Sequence, residues 1–168
     1  MDYIVVSGRS VAVQGLPIVK PPWGRITAYD LNKGEIVWQV PHGETPDYVK
    51  NNPALKGVTI PRTGATPGLQ TGTLVTKTLV ILGEPHLTTT ADGRRGAMLR
   101  AYNKATGADI GALYMPAPQT GSPLTYMLNG KQYIVVAVSG PGYGAEFLAF
   151  TVPSATQTPA RGGGGDQQ

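Results

Sequence analysis

The side chains able to do chemistry in this chain are few, and they sit on glycine- and proline-punctuated stretches. Ser139-Gly140-Pro141-Gly142-Tyr143-Gly144 alternates glycine with other residues around a single ring. Glycine lets backbone approach a flat ligand closely and a tyrosine offers an apolar body with a polar tip, so Gly140, Gly142, Tyr143 and Gly144 form one candidate binding stretch. No helical pattern follows to cap a pyrophosphate, so the stretch is not a dinucleotide fingerprint. Glu84 and His86 open a polar insertion over residues 84–96 and form a second candidate. Arg62, Arg94 and Arg95 are suited to pairing a carboxylate bidentately. His42 and His86 are the only histidines, 44 residues apart. They lack the ligand spacing of a zinc site, and the absence of cysteine rules out thiolate sites and disulfides. Neither a Gly-x-Ser-x-Gly elbow nor a phosphate loop is present.

The elements that must position these residues are strands. With 23 Gly and 15 Pro in 168 residues, the chain turns often and has little room for long helices. Residues 28–38, Ala-Tyr-Asp-Leu-Asn-Lys-Gly-Glu-Ile-Val-Trp, state one unit. A half-buried strand meets turn chemistry at Asp30, Asn32 and Gly34, then reverses into a β-branched strand ending at Trp38, until Pro41 stops the run. Residues 101–111, Ala-Tyr-Asn-Lys-Ala-Thr-Gly-Ala-Asp-Ile-Gly, restate it 73 residues later. A repeat of that kind signals a repeat architecture of four-stranded units joined by long loops. Asp30 and Asn103 are expected to cap their own turns. Trp38 is expected to lie flat against the next unit, whereas Gly111 holds the equivalent position in the second copy, leaving that dock empty or filled by another side chain such as Tyr114.

In chain order, residues 3–6 read as a short strand and residues 7–23 as a loop. Prolines at 46, 53, 61 and 67 break the stretch 42–70, with one helical turn expected within 48–55. Strands are expected at 72–76 and 79–82 around a Lys77-Thr78 turn. Asn129-Gly130 between residues 123–128 and 131–138 is a strong hairpin signal, because a type I′ turn needs positive φ at both positions. Residues 139–145 read as a glycine loop, 146–152 as a last strand and 154–168 as a disordered Gly/Gln-rich tail. Antiparallel strands turn at alternate ends, so the short turns at 30–34, 77–78, 103–107 and 129–130 share one end. The longer linkers 7–23, 42–71, 84–96, 117–121 and 139–145 share the other, where binding residues are expected.

The unit Ala-x-Asp-x-x-(Thr or Lys)-Gly-x-x-x-Trp resembles the tryptophan-docking motif of quinoprotein dehydrogenases, eight-bladed β-propellers that use pyrroloquinoline quinone. Pro22-Trp23-Gly24-Arg25-Ile26, Trp38-Gln39-Val40-Pro41-His42-Gly43, Met98-Leu99-Arg100-Ala101-Tyr102 and Thr120-Gly121-Ser122-Pro123-Leu124-Thr125-Tyr126, running on to Gly130-Lys131-Gln132-Tyr133, are similar to the C-terminal region of the membrane glucose dehydrogenase branch. The resemblance covers roughly residues 16 to 153. It implies an all-β partial β-propeller of about two and a half blades over residues 1–153. It further implies pyrroloquinoline quinone and Ca²⁺ as cofactors, with the metal ligands and catalytic base outside this chain. A sugar or alcohol substrate, a quinone or cytochrome electron acceptor, a periplasmic location and the remaining blades as partners follow from the same resemblance.

The net charge of +4 comes from scattered basic residues, with no basic stripe interleaved with aromatics, so nucleic acid is not an expected partner. No run of apolar residues is long enough for a membrane helix. A propeller module that serves as a non-catalytic interaction scaffold stays open beside the dehydrogenase reading.

Overall fold

The computed structural model describes residues 11–65, 72–90 and 92–153. The strand expected at 3–6 and the tail at 154–168 lie outside the described residues.

A two-strand ribbon, β1 (Ala12–Val13) and β2 (Leu16–Pro17), falls where a plain loop is expected; it turns at Gln14 and Gly15, both at positive φ. The expected hairpin follows as β3 (Arg25–Asp30) and β4 (Glu35–Pro41). Asp30 caps it as expected: one carboxylate oxygen accepts from the amides of Asn32 at 2.9 Å and Lys33 at 3.3 Å, while Gly34 takes φ +70°. The crossing segment carries one turn of helix, α1 (Asp47–Lys50), and a 3-10 turn at Pro53–Leu55. The second sheet runs β5 (Leu74–Val75), β6 (Leu79–Gly83), β8 (Arg95–Asn103) and β9 (Asp109–Met115), with the short β7 (Thr88–Thr89) paired to the start of β8. Asn103 caps the β8–β9 turn through the amides of Ala105 and Thr106, as Asp30 caps its own.

The third sheet is β10 (Leu124–Leu128), β11 (Lys131–Gly140) and β12 (Tyr143–Thr151), paired in that order. Asn129 and Gly130 adopt φ of +50° and +72°, the positive pair that the hairpin turn demands. Two expectations are corrected here. The stretch 139–145 is not an open glycine loop: β11 runs through Gly140, Tyr143 begins β12, and Pro141-Gly142 closes a tight turn between the paired Gly140 and Tyr143. Proline presets its φ and Gly142 supplies +76°, so two residues suffice to reverse the chain. The insertion 84–96 likewise folds back on itself, because Thr88 and Thr89 pair with Gly96 and Arg95.

The middle sheet is buried on both faces. Val80, Leu82 and Tyr102 point to Ile26 and Val40 of the first hairpin. Ile81, Ala97 and Leu99 point the other way and meet Val136 and Val138 of the third sheet, together with Met115 and Ala117. Period-2 alternation along β6 and β8 therefore feeds two separate cores, which is the face-to-face blade packing of a partial β-propeller.

Candidate functional site

At the linker-bearing end the three sheets meet around the end of β6. Gly83 and Glu84 are held from each of them. From the first unit, the ring of His42 contacts the Gly83 carbonyl through Nε2 at 3.2 Å and the Tyr102 hydroxyl through Nδ1 at 3.0 Å. A carbonyl can only accept, so Nε2 carries the proton, and Nδ1 accepts from Tyr102. Burial is the main influence on His42, holding its pKa down to about 4, so the ring is neutral at pH 7. Burial pushes the Tyr102 phenol up to about 12 and keeps it a donor.

From the middle sheet comes Arg100, whose side chain is only 7% exposed. Its Nε donates to Glu84 Oε1 at 2.7 Å, Nη2 to Glu44 Oε1 at 2.5 Å and Nη1 to Asp109 Oδ2 at 3.1 Å. Arg62 reaches the same Asp109 oxygen at 2.6 Å and the Pro41 carbonyl at 3.1 Å, tying the crossing segment to β9 and β4. Burial raises the Glu84 pKa, and Arg100 opposes that shift. Glu84 Oε2 is buried with no hydrogen-bond partner among the described residues.

The linker to the third sheet supplies Gln119, fully buried. Its Oε1 accepts from the Gly83 amide at 2.5 Å and its Nε2 donates to the Gly72 carbonyl at 2.8 Å. The backbone continues the stitch: Gln119 N–H donates to Glu84 O at 3.2 Å and Ser139 N–H to Pro118 O at 3.1 Å. A Cβ built on Gly140 would stand 3.0 Å from Pro118 Cδ. The ends of β6 and β11, on adjacent sheets, are thus joined through residues 117–119.

The predicted candidates separate into three places. Glu84 is 1% exposed and bound to Arg100. His86 lines a recess with Asp47, Thr88 and Arg95. Gly140, Gly142, Tyr143 and Gly144 sit on the β11–β12 turn, where the Tyr143 hydroxyl donates to Glu146 and no atom stands within 4 Å of a Cβ built on Gly142 or Gly144. Arg94 lies over the Tyr114 ring at 4.0 Å and pairs with Asp92. Tyr114 does not fill the second dock: its hydroxyl donates to Arg95 of its own sheet and its ring covers Gly96. Sequence reasoning missed Glu44, Arg100, Asp109 and Gln119. The available signal was an arginine inside a strand whose neighbours are all core residues, a position that only paired charge can occupy.

This arrangement binds and orients backbone; it does not transfer protons to a substrate, because both nitrogens of His42 and all three guanidinium nitrogens of Arg100 are engaged. It also does not by itself make a tricarboxylate or metal site. The cations nearest the strip, Arg62 and Arg100, are committed to Asp109, and no group of three or more metal-ligating side chains occurs among the described residues.

A stack of antiparallel blades docked through tryptophan defines a propeller protein. The family model described as "PQQ: Glucose/ethanol/alcohol dehydrogenase, beta-propeller domain" matches residues 1–134. The chain is 30% identical over 163 residues to a probable quinate dehydrogenase (quinone) of Xanthomonas campestris pv. juglandis, an alignment covering 91% of this chain and 19% of that protein. It is 33% identical over 147 residues to the quinoprotein glucose dehydrogenase of Escherichia coli K12, covering 83% and 17%. With the quinoprotein glucose dehydrogenase A of Acinetobacter calcoaceticus it shares 31% over 144 residues, covering 83% and 16%. The chain belongs to the PQQ-dependent dehydrogenase family, and spans between 16% and 19% of the length of these relatives.

Proposed function

We propose that the chain is the C-terminal part of a quinoprotein dehydrogenase that oxidises a sugar or alcohol hydroxyl, with residues 1–153 forming its last blades. In this reading the chain supplies one sector of the cofactor funnel. The observation that carries it is the continuous strip from Gly83-Glu84 through residues 117–119 to Ser139-Gly140, which sets the linker-bearing ends of two adjacent blades side by side. Glu84 contributes by fixing that strip through Arg100, while His86, Gly140, Gly142, Tyr143 and Gly144 present their surface toward the cofactor side. The catalytic base, the Ca²⁺ ligands, the remaining blades and the site of a quinone or cytochrome acceptor lie outside residues 1–168. In this reading the parent enzyme works in the periplasm, which the likeness to quinoprotein dehydrogenases supports. Among the described residues no helix is long and apolar enough to cross a membrane.

The test uses the assembled dehydrogenase and the chain alone. Purified chain with added quinone, Ca²⁺, glucose or ethanol and a dye acceptor is expected to give no turnover. In the assembled enzyme, Tyr143→Ala raises the quinone concentration needed for half-maximal activity, and Asn129→Ala at the opposite end leaves it unchanged. The reverse pattern overturns the assignment of the cofactor side.

A further inference from the structure

We propose that the groove formed by residues 11–25 and Tyr48 of α1 binds the anion of a medium-chain fatty acid, an acyl tail ending in a carboxylate. The groove encloses about 730 Å³, within the range of small-molecule sites, and shares no lining residue with the Gly83–Ser139 strip.

The walls select the tail. Val11, Ile18 and Val19 line the groove at 67%, 59% and 68% exposure, so aliphatic surface that folding has left uncovered faces one cavity. Covering such surface is favourable in proportion to its area, and an acyl chain covers it without asking for a hydrogen-bond partner. The walls are braced before a ligand arrives. The Trp23 indole donates to the Val19 carbonyl at 2.7 Å, the Trp23 backbone N–H to the Thr63 carbonyl at 2.8 Å, and Asn52 Nδ2 to the Gln14 carbonyl at 3.0 Å. The ring and the β1–β2 ribbon are thus fixed to the crossing segment, and little ordering opposes binding.

Charge selects the headgroup. Lys20 and Arg25, both exposed, line the same groove, and no acidic side chain does. Arg62, Arg95 and Arg100 are each committed to a carboxylate, whereas neither Lys20 nor Arg25 forms an ion pair among the described residues. Two positive charges beside apolar walls, with no counter-charge in the wall, favour an anion, and the guanidinium of Arg25 suits a carboxylate held by two parallel hydrogen bonds. A bilayer is the poorer occupant, because its flat surface does not enter a concave groove.

The two tryptophans make the test direct, since the indole N–H of Trp23 reports on the groove and that of Trp38 on the dock at Lys104. The 168-residue chain, without quinone or Ca²⁺, is titrated by ¹⁵N-resolved NMR with monomeric sodium decanoate, with hexanoate and with the neutral tetraethylene glycol monodecyl ether. Decanoate is expected to shift the Trp23 indole signal saturably and leave that of Trp38 in place. Hexanoate binds more weakly, by about two- to fourfold for each methylene removed. Lys20→Gln and Arg25→Gln each weaken decanoate about two- to fivefold, as exposed ion pairs do, and leave the neutral ether unchanged. Val19→Ser weakens both ligands, and an unmoved Trp38 signal verifies the fold of each variant. The proposal is overturned by an absent Trp23 shift, by the ether binding as tightly as decanoate, or by variants that bind like wild type. It also falls if nuclear Overhauser contacts place Ile4, Val5 or Val6 of the free chain on the Trp23 ring, or if anionic vesicles retain a chain that monomeric decanoate does not shift. Because the chain alone is titrated, failure here is separate from failure of the dehydrogenase reading.

Discussion

The indole N–H of Trp38 donates to the carbonyl of Lys104 at 3.0 Å, and the ring covers Gly107 in the turn of the next sheet. This dock ties the first hairpin to the second unit at the short-turn end. Trp38→Ala is expected to cost about 3 kcal/mol, the low end for a large aromatic because the ring is partly exposed. Tyr114→Ala removes a ring contact within one sheet and an Arg94 cation–π pair, and is expected to cost less. Urea midpoints of the two variants decide it; equal midpoints would refute the docking role.

Gly107 tests the same dock from the other side. It adopts φ +73°, and a Cβ there would stand 2.7 Å from Trp38 Cε3; Gly34 adopts φ +70° with nothing within 4 Å. Gly34→Ala carries only the backbone penalty of about 1–2 kcal/mol. Gly107→Ala is expected to exceed it measurably, because the indole must also move. Thermal denaturation of both variants in parallel provides the comparison.

His42 makes stability fall in mild acid. Its folded pKa of about 4 lies below the ordinary imidazole value of 6.5, so between those values the unfolded chain binds the extra proton. The stabilisation is present above pH 6.5 and is lost as pH falls toward 4, on the order of 3 kcal/mol in all. His42→Gln should be less stable at neutral pH yet show a flatter profile between pH 7 and pH 5. A parallel profile would show that His42 does not titrate with folding.

Arg100 and Glu84 differ in how much each holds. Arg100→Met leaves Glu84 buried without its cation and is expected to cost about 3–5 kcal/mol. Arg100→Met combined with Glu84→Met should recover part of that loss, since no unpaired charge remains buried. Because burial raises the Glu84 pKa, its contribution is present below the ordinary carboxylate value and declines as pH rises through the folded one. Glu84→Gln should therefore compare more favourably with wild type at neutral pH than at pH 4. Chemical denaturation at the two pH values checks the sign.

Legibility followed the range of the interaction. Asp30, Asn103 and Asn129-Gly130 could be read because a turn's chemistry closes within a few residues. Pro141-Gly142 carries the same kind of signal, but the surrounding glycines masked it as a loop. The Arg100 cluster was hidden for a different reason: its place among core residues of a strand signals paired charge, but its carboxylates lie 56, 16 and 9 residues away at Glu44, Glu84 and Asp109, and nothing local names them. Gln119 likewise gains its role only once β6 and residue 72 arrive beside it. The dock of Trp38 was legible as a residue type, while its partner turn emerged from the packing.

The middle sheet's burial on both faces sets an order of amide exchange. The β8 amides can meet solvent only when both cores open, so they should exchange at the rate of global unfolding. Among the described residues the β3–β4 hairpin packs on the middle sheet and is fastened by the Trp38 dock, and β12 pairs with β11 alone. Both should exchange through smaller openings that leave β6 and β8 paired, giving a gradient of deuterium uptake that rises outward from Arg100.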